Sequence, residues 1–180
     1  TGVLYEQGRY SPVAYPLPSS DASIPEASLV LSLLPKQGAV LDWPQRYHGR
    51  TVEVSRYFYY QSIHGRPIPY DFAPTSYMPG VVESNPFFAR LERLSYGEDY
   101  SSGAWNVETW LPTEFGIQDM ENMGFSYLVL HSRFLDPAAV PRVKTFLQYK
   151  LKHVATTSTG DEIYEIGVLD DWELDSSLDG

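Results

Sequence analysis

Phe125-Ser126-Tyr127-Leu128-Val129-Leu130-His131 is the stretch whose reading decides the fold class. A strand with one wet face alternates apolar and polar residues, whereas this run is apolar almost throughout. It therefore reads as a strand buried on both faces, the kind found in parallel sheets covered by helices. Its flanks agree. Thr113 to Met123 has amphipathic helical spacing and Gly124 stands just past its end. Downstream, Asp136-Pro137 predicts a cap and a helix running through Lys152, with Pro141 in its first turn or kinking it slightly. His153–Thr157 and Glu162–Ile166 then form two strand-like segments joined by Ser158-Thr159-Gly160-Asp161, a hairpin signal.

Upstream the pattern repeats more loosely. Ser23-Ile24-Pro25-Glu26 predicts a helix start, with Ser as the cap and Pro in the first turn, and the helix stops before Pro35. Ala39-Val40-Leu41-Asp42-Trp43, bounded by Gly38 and Pro44, reads as a short strand. Residues 45–51 read as loop. From Val52 the spacing becomes helical: Val54, Tyr57, Phe58 and Gln61 share a largely aromatic face, and Gly65 sits where a C-cap belongs. His64 falls in the last turn, where a cation is favoured. Pro67-Ile68-Pro69-Tyr70 must be extended. Asn85-Pro86 opens a helix over Phe87–Leu94, and Trp105–Leu111 fits either a half-buried strand or a loop.

This order of elements predicts an α/β fold: one domain, a mostly parallel sheet flanked by helices, and a C-terminal β-hairpin. Residues 1–22, with Pro12, Pro16 and Pro18, read as an extended Pro/Ser-rich segment, residues 23–168 as the α/β domain, and residues 169–180 as an acidic tail. Composition fits a globular chain, at 43% hydrophobic and 20% charged residues. Fourteen Tyr serve a core or a sugar- or partner-binding rim equally well, the ring being apolar and its tip polar.

The net charge of −10 is unevenly spread. Eight acids and no Lys or Arg fall within residues 161–180, and the other 15 acids nearly balance the chain's 13 bases. A nearly neutral body lacks the basic face that nucleic acid requires, so no nucleic-acid partner is expected. With no Cys, thiol catalysis, disulfides and thiolate metal sites are excluded. No run approaches the ~20 apolar residues of a membrane span. Starting at Thr1-Gly2-Val3 without Met, the chain reads as a piece of something longer.

The chemistry-bearing residues do not compose a complete motif. His48, His64, His131 and His153 are scattered, with no pair placing two imidazoles on one face, so no metal is expected. Gly-x-Ser-x-Gly, a Walker loop and Gly-x-Gly-x-x-Gly are all missing, which argues against a serine hydrolase and a nucleotide cofactor. Asp42, Asp71 and Glu83 are the carboxylates available for the pair a glycosidase needs, but Asp is also common at strand ends and turns for local hydrogen bonding. The densest stretch is Tyr57 to Asp71. There His64 and Arg66, beside Tyr60 and Gln61, either bind an anionic or sugar group or complete a helix C-terminus and stack on tyrosines. His131, ending a buried strand, either stands where ligands gather in open α/β sheets or is a satisfied structural histidine. The binding candidates are thus Tyr60, Gln61, His64, Arg66, Asp71 and His131, with no catalytic residue among them.

Three segments carry a resemblance: Gly38-Ala39-Val40-Leu41-Asp42-Trp43-Pro44, then Tyr59-Tyr60-Gln61-Ser62-Ile63-His64-Gly65-Arg66-Pro67-Ile68, then Met123-Gly124-Phe125-Ser126-Tyr127-Leu128-Val129-Leu130-His131. With the closing Ile163-Tyr164-Glu165-Ile166, they resemble the soluble C-terminal region of bacterial multi-pass membrane proteins similar to glycosyltransferases that use lipid-linked sugars. The likeness spans about Ile24 to Ile166 through short motifs. It departs from the pattern where Pro69-Tyr70-Asp71 replaces the usual Gly or Asn after the Pro-Ile step. The resemblance implies an extracytoplasmic (periplasmic or extracellular) domain, tethered to the transmembrane region of its own parent chain, whose catalytic acid lies upstream. A glycan or lipid-linked sugar acceptor is the implied partner. A free-standing hydrolase using Asp71 or Asp42 with His64 is the rival expectation, and a purely structural protein-interaction module is a third.

Overall fold

The computed structural model describes residues 24–44, 54–69, 85–97 and 112–167. The N-terminal segment, the tail beyond residue 167, Asp71, Glu83, His48 and the 105–111 stretch lie outside them. Five helices and one four-stranded sheet are present among the described residues. In chain order they are α1 (Glu26–Leu33), β1 (Ala39–Trp43), α2 (Val54–His64), α3 (Pro86–Tyr96), α4 (Thr113–Asn122), β2 (Phe125–Leu130), α5 (Val140–Lys150), β3 (Lys152–Thr156) and β4 (Glu162–Glu165). A 3-10 turn, Ser132–Phe134, follows β2.

The α/β class is as expected. The sheet order is β1-β2-β4-β3, and parallel pairing is confined to β1 and β2. β4 runs antiparallel to both β2 and β3. The reason is the hairpin: a tight turn reverses the chain after β3, so β4 enters the sheet beside β2 in the opposite direction. Both inner strands still have helices on each side, and β2 is buried along all six of its residues.

Alternation along the strands divides the interior in two. Val40, Tyr127, Val129 and Ile163 face Ala27 and Leu31 of α1. Leu41, Trp43, Leu128, Leu130 and Tyr164 face Phe87, Phe88 and Leu91 of α3, Ile117 and Met120 of α4, and Val143 and Leu147 of α5. On the first face α2 packs beside α1.

Local chemistry explains the element ends, with three corrections. Asn85 caps α3 as its sequence predicts, its Oδ1 accepting from Phe87 N at 3.0 Å and Phe88 N at 3.1 Å. That cap presses on α4: a Cβ on Gly116 would stand 2.5 Å from Asn85 Oδ1 and 2.6 Å from Phe87 N, so only glycine fits there. Gly38 has φ 146°, and a Cβ on it would meet Ser126 Oγ at 2.2 Å, so the entry to β1 also requires glycine. The first correction concerns α1, whose N-cap position is Pro25, with no side-chain cap; Ser23 lies outside the described residues. The second concerns α5, which begins at Val140 rather than at Pro137. Asp136 instead caps a preliminary turn by accepting from Ala138 N at 2.9 Å, and Lys152 already belongs to β3. The third concerns Gly65, which closes α2 with φ 69° as expected, but without a cation in the last turn, as shown next.

Candidate functional site

Asp42 is the fourth residue of β1, His131 directly follows β2, and Asp161 directly precedes β4. Because β4 is antiparallel to β2, its start lies against the end of β2, where Leu130 pairs with Glu162. One step further along, Asp161 comes opposite His131. Period-two alternation turns Asp42, His131 and Asp161 to the face shared with Val40, Val129 and Ile163, the one α1 and α2 cover. Three residues 119 positions apart in sequence at the extremes thereby converge at the C-terminal edge of the parallel pair.

The His131 backbone extends the ladder, donating N–H to Trp43 O at 2.8 Å. Its imidazole lies between the carboxylates. Nε2 is 2.9 Å from Asp42 Oδ1, a short charge-assisted hydrogen bond, and Nδ1 is 3.3 Å from Asp161 Oδ1, a looser ion-pair contact. All three side chains are at most 2% exposed. The ring stacks on Tyr57 with centroids 5.5 Å apart and planes 20° apart, and Tyr60 and Phe134 close two further sides. Tyr57 is itself fixed by donating its hydroxyl to Pro44 O.

Burial alone would lower the His131 pKa, but hydrogen bonds to Asp161 and Asp42 and their charges outweigh it and hold it up at about 9. The ring is therefore an imidazolium at neutral pH, its Nε2 donating to Asp42 and its Nδ1 in ion-pair contact with Asp161. Asp161 is the complement: burial would raise its pKa, but the bond and charge of His131, then Arg133 and Thr159, hold it below the usual carboxylate range. The hairpin turn locks Asp161 in place. Asp161 N donates to Thr157 Oγ1 at 3.0 Å, Thr157 N donates to Asp161 O at 2.8 Å, and Thr159 Oγ1 donates to Asp161 Oδ2 at 3.3 Å. Arg133 stands 3.9 Å from Asp161 Oδ2 and donates to the Tyr60 hydroxyl at 3.2 Å. Two carboxylates, an imidazolium and a guanidinium thus balance.

The other sequence candidates are placed differently. Tyr60 is buried against His131. Gln61 is half-buried on α2, and Asp71 lies outside the described residues. His64 is buried next to this cluster, and its Nδ1 accepts from Arg66 N at 3.0 Å, so Nε2 carries the proton. Burial, helped by Arg66 and opposed by Asp42, lowers its pKa. It is a neutral imidazole, not the expected helix-terminal cation. Arg66 is buried too, and its guanidinium donates to three carbonyls in the last turn of α1 and just beyond it: Leu31 O at 3.0 Å, Leu34 O at 2.7 Å and Lys36 O at 2.5 Å. It also lies over the Tyr127 ring at 5.0 Å. It caps a helix C-terminus and stacks on a tyrosine, but the helix is α1 and not its own.

Chemically the arrangement is closed. A general base needs an available lone pair, and a protonated His131 held between two carboxylates offers none. Ser132 Oγ, beside it in sequence, makes no hydrogen bond to either ring nitrogen among the described residues. No group of three or more His, Asp or Glu side chains suited to a metal ion occurs among the described residues. Sequence reasoning reached His131 and Asp42 individually but missed Asp161, Arg133 and Tyr57. Asp161 looked like turn chemistry, and its second role becomes visible only once β4 is placed beside β2.

Fold and site together define a small mixed α/β domain organised around a buried Asp–His–Asp ion triad at the strand ends. No family model, curated protein or solved structure matches the chain.

Proposed function

We propose that the chain is a non-catalytic extracytoplasmic domain of a membrane-embedded, glycosyltransferase-like bacterial protein, and that it assists acceptor or glycan binding or assembly. The observation that carries this reading is the clamped imidazolium. His131, at the ligand-gathering edge of the sheet, is protonated, buried and held between two carboxylates, which suits holding β1, β2 and β4 in register and does not suit proton transfer. The segments that carry the sequence resemblance also meet in space. The first supplies Asp42, the second lies along the free edge of β1 through Val40 N to Pro67 O at 2.8 Å, and the third supplies His131. What they build together is a structural unit.

Membrane attachment has to come from elsewhere in the parent chain, since among the described residues no helix is long and apolar enough to cross a bilayer. Ile24, Leu29 and Leu33 are exposed on and just before α1, which supports the assembly half of the reading. The test is the parent reading frame together with an assay of the chain alone. Several apolar spans of ~20 residues upstream of Thr1, with no turnover of glycosides or esters by the 180-residue chain, is the expected result. A frame beginning near Thr1, with hydrolysis abolished by Asp42→Asn, overturns it in favour of the hydrolase.

A further inference from the structure

His64 is the last residue of α2, and the segment after it forms a strap across two parts of the fold. Gly65, with φ 69° and open space where a Cβ would sit, is the joint. Beyond it, Arg66 donates to the carbonyls of Leu31, Leu34 and Lys36. Pro67 O accepts from Val40 N at 2.8 Å on the outer edge of β1, and Ile68 packs against the apolar cluster beneath α1. The strap therefore holds the end of α1 and the edge of β1 at once.

One side-chain bond spans the joint: Arg66 N donates to His64 Nδ1 at 3.0 Å, and His64 is only 6% exposed. That bond exists only while Nδ1 is bare. A proton there turns the acceptor into a donor facing another donor, and puts a charge where little water can solvate it. Nε2 has no hydrogen-bond partner among the described residues, so that side offers no compensating bond within them. Burial is the main influence keeping the ring neutral, and Arg66 adds to it. Asp42 of β1 favours the imidazolium, but it is already engaged by His131. α1 brings Glu26, which accepts from Ser158 in the hairpin turn, and Lys36 beyond α1 is paired with Glu121. Tyr60, one turn back on α2, has its pKa raised by burial and stays neutral.

We propose that His64 is an acid-sensitive latch: with Nδ1 bare it fastens residues 65–68 to β1 and α1, and a proton on Nδ1 releases them. The inference goes beyond the accessory reading and does not rest on the membrane tether. Its sign follows from the direction of the shift. A histidine held neutral by folding contributes stability that is present above its ordinary value near 6.5 and lost as pH falls below it. His131 acts above that value and the carboxylates titrate lower, so the latch is read between pH 7 and pH 5.

The experiment is amide hydrogen exchange of Val40, followed by NMR on the 180-residue chain from pH 7 to pH 5 and corrected for the intrinsic rate. Protection of Val40 is expected to fall severalfold, up to the about thirtyfold limit that one proton on a group of ordinary pKa 6.5 sets at pH 5. At pH 5 Val40 should exchange faster than the amides of β4, which marks release of the strap and not unfolding of the sheet. His64→Asn places an acceptor where Nδ1 stands and cannot be protonated, so it should keep Val40 protected and remove the pH dependence. If that variant fails to fold, as judged by circular dichroism, proton NMR titration of the His64 ring in the unaltered chain carries the test, and the ring is expected to titrate below 6.5. The proposal is overturned if Val40 protection is unchanged between pH 7 and pH 5, or if it falls equally in His64→Asn. It is also overturned if Val40 exchanges no faster than β4 at pH 5, or if the His64 ring titrates at or above its ordinary value.

Discussion

The two ends of the sheet hold charged clusters of similar size and opposite character. At the C-terminal end of β2, His131 is clamped by Asp42 and Asp161, all three sealed from water. At the other end, Lys36 reaches Glu121 at 3.2 Å, Glu165 at 3.7 Å and Ile166 O at 2.7 Å, with its charged partners about a third exposed. Both join the strands to neighbouring segments by one cation among carboxylates. The exposed cluster gains little, because water screens its charges and the side chains give up freedom to meet. In the buried cluster each charge is supported only by its partners, so the group is costly to assemble and far costlier to break. Burial, more than the number of ion pairs, decides how much an end depends on its charges.

Substitutions rank accordingly. His131→Leu leaves two buried carboxylates facing one another and should cost about 3–5 kcal/mol of unfolding free energy, read by urea denaturation. A loss below about 1 kcal/mol would put the triad in the class of the exposed cluster. Arg66→Lys comes next, at about 2–3 kcal/mol, since an ammonium cannot reproduce a planar fork serving three carbonyls. Lys36→Gln should cost about 1 kcal/mol or less, most of it from the bond to Ile166 O. Combined with His131→Leu it should be additive, because the two ends share no partner. A non-additive double variant would mean that the ends communicate through the strands.

The pH dependence sharpens the same contrast. A histidine whose pKa rises on folding contributes stability that is fully present below its unfolded value, near 6.5, and lost as pH rises through the folded value of about 9. Stability should therefore fall across that interval, and His131→Leu should remove the dependence. Asp161, held low by the same contact, contributes stability that is present above the ordinary carboxylate range and lost on acidification. The two slopes report one interaction from its two sides. Lys36→Gln should leave both in place.

Much of this fold was legible in residues. The apolar run into His131 has one consistent reading, Asn85-Pro86 is a cap followed by a proline in the first turn, and the hairpin around Gly160 is local chemistry. Sheet order was not legible, because pairing between β2 and β4 rests on contacts across some forty residues that no local period encodes. That single fact hid half of the site. Asp161 satisfies every local criterion for a turn residue, and its charge partner is thirty positions away. Arg66 shows the same limit: it does cap a helix, but one whose carbonyls lie more than thirty residues upstream. The start of α5 was misjudged for a different reason, since Asp136-Pro137 caps a single turn and nothing in its own chemistry says that the turn stops before the helix begins.

The most direct test of the clamped imidazolium is nitrogen-15 NMR of the His131 ring through a pH titration. The account predicts that both ring nitrogens are protonated at neutral pH and lose a proton only near pH 9. A neutral ring at pH 7, with one nitrogen bare, would contradict it and restore His131 as a base available for catalysis.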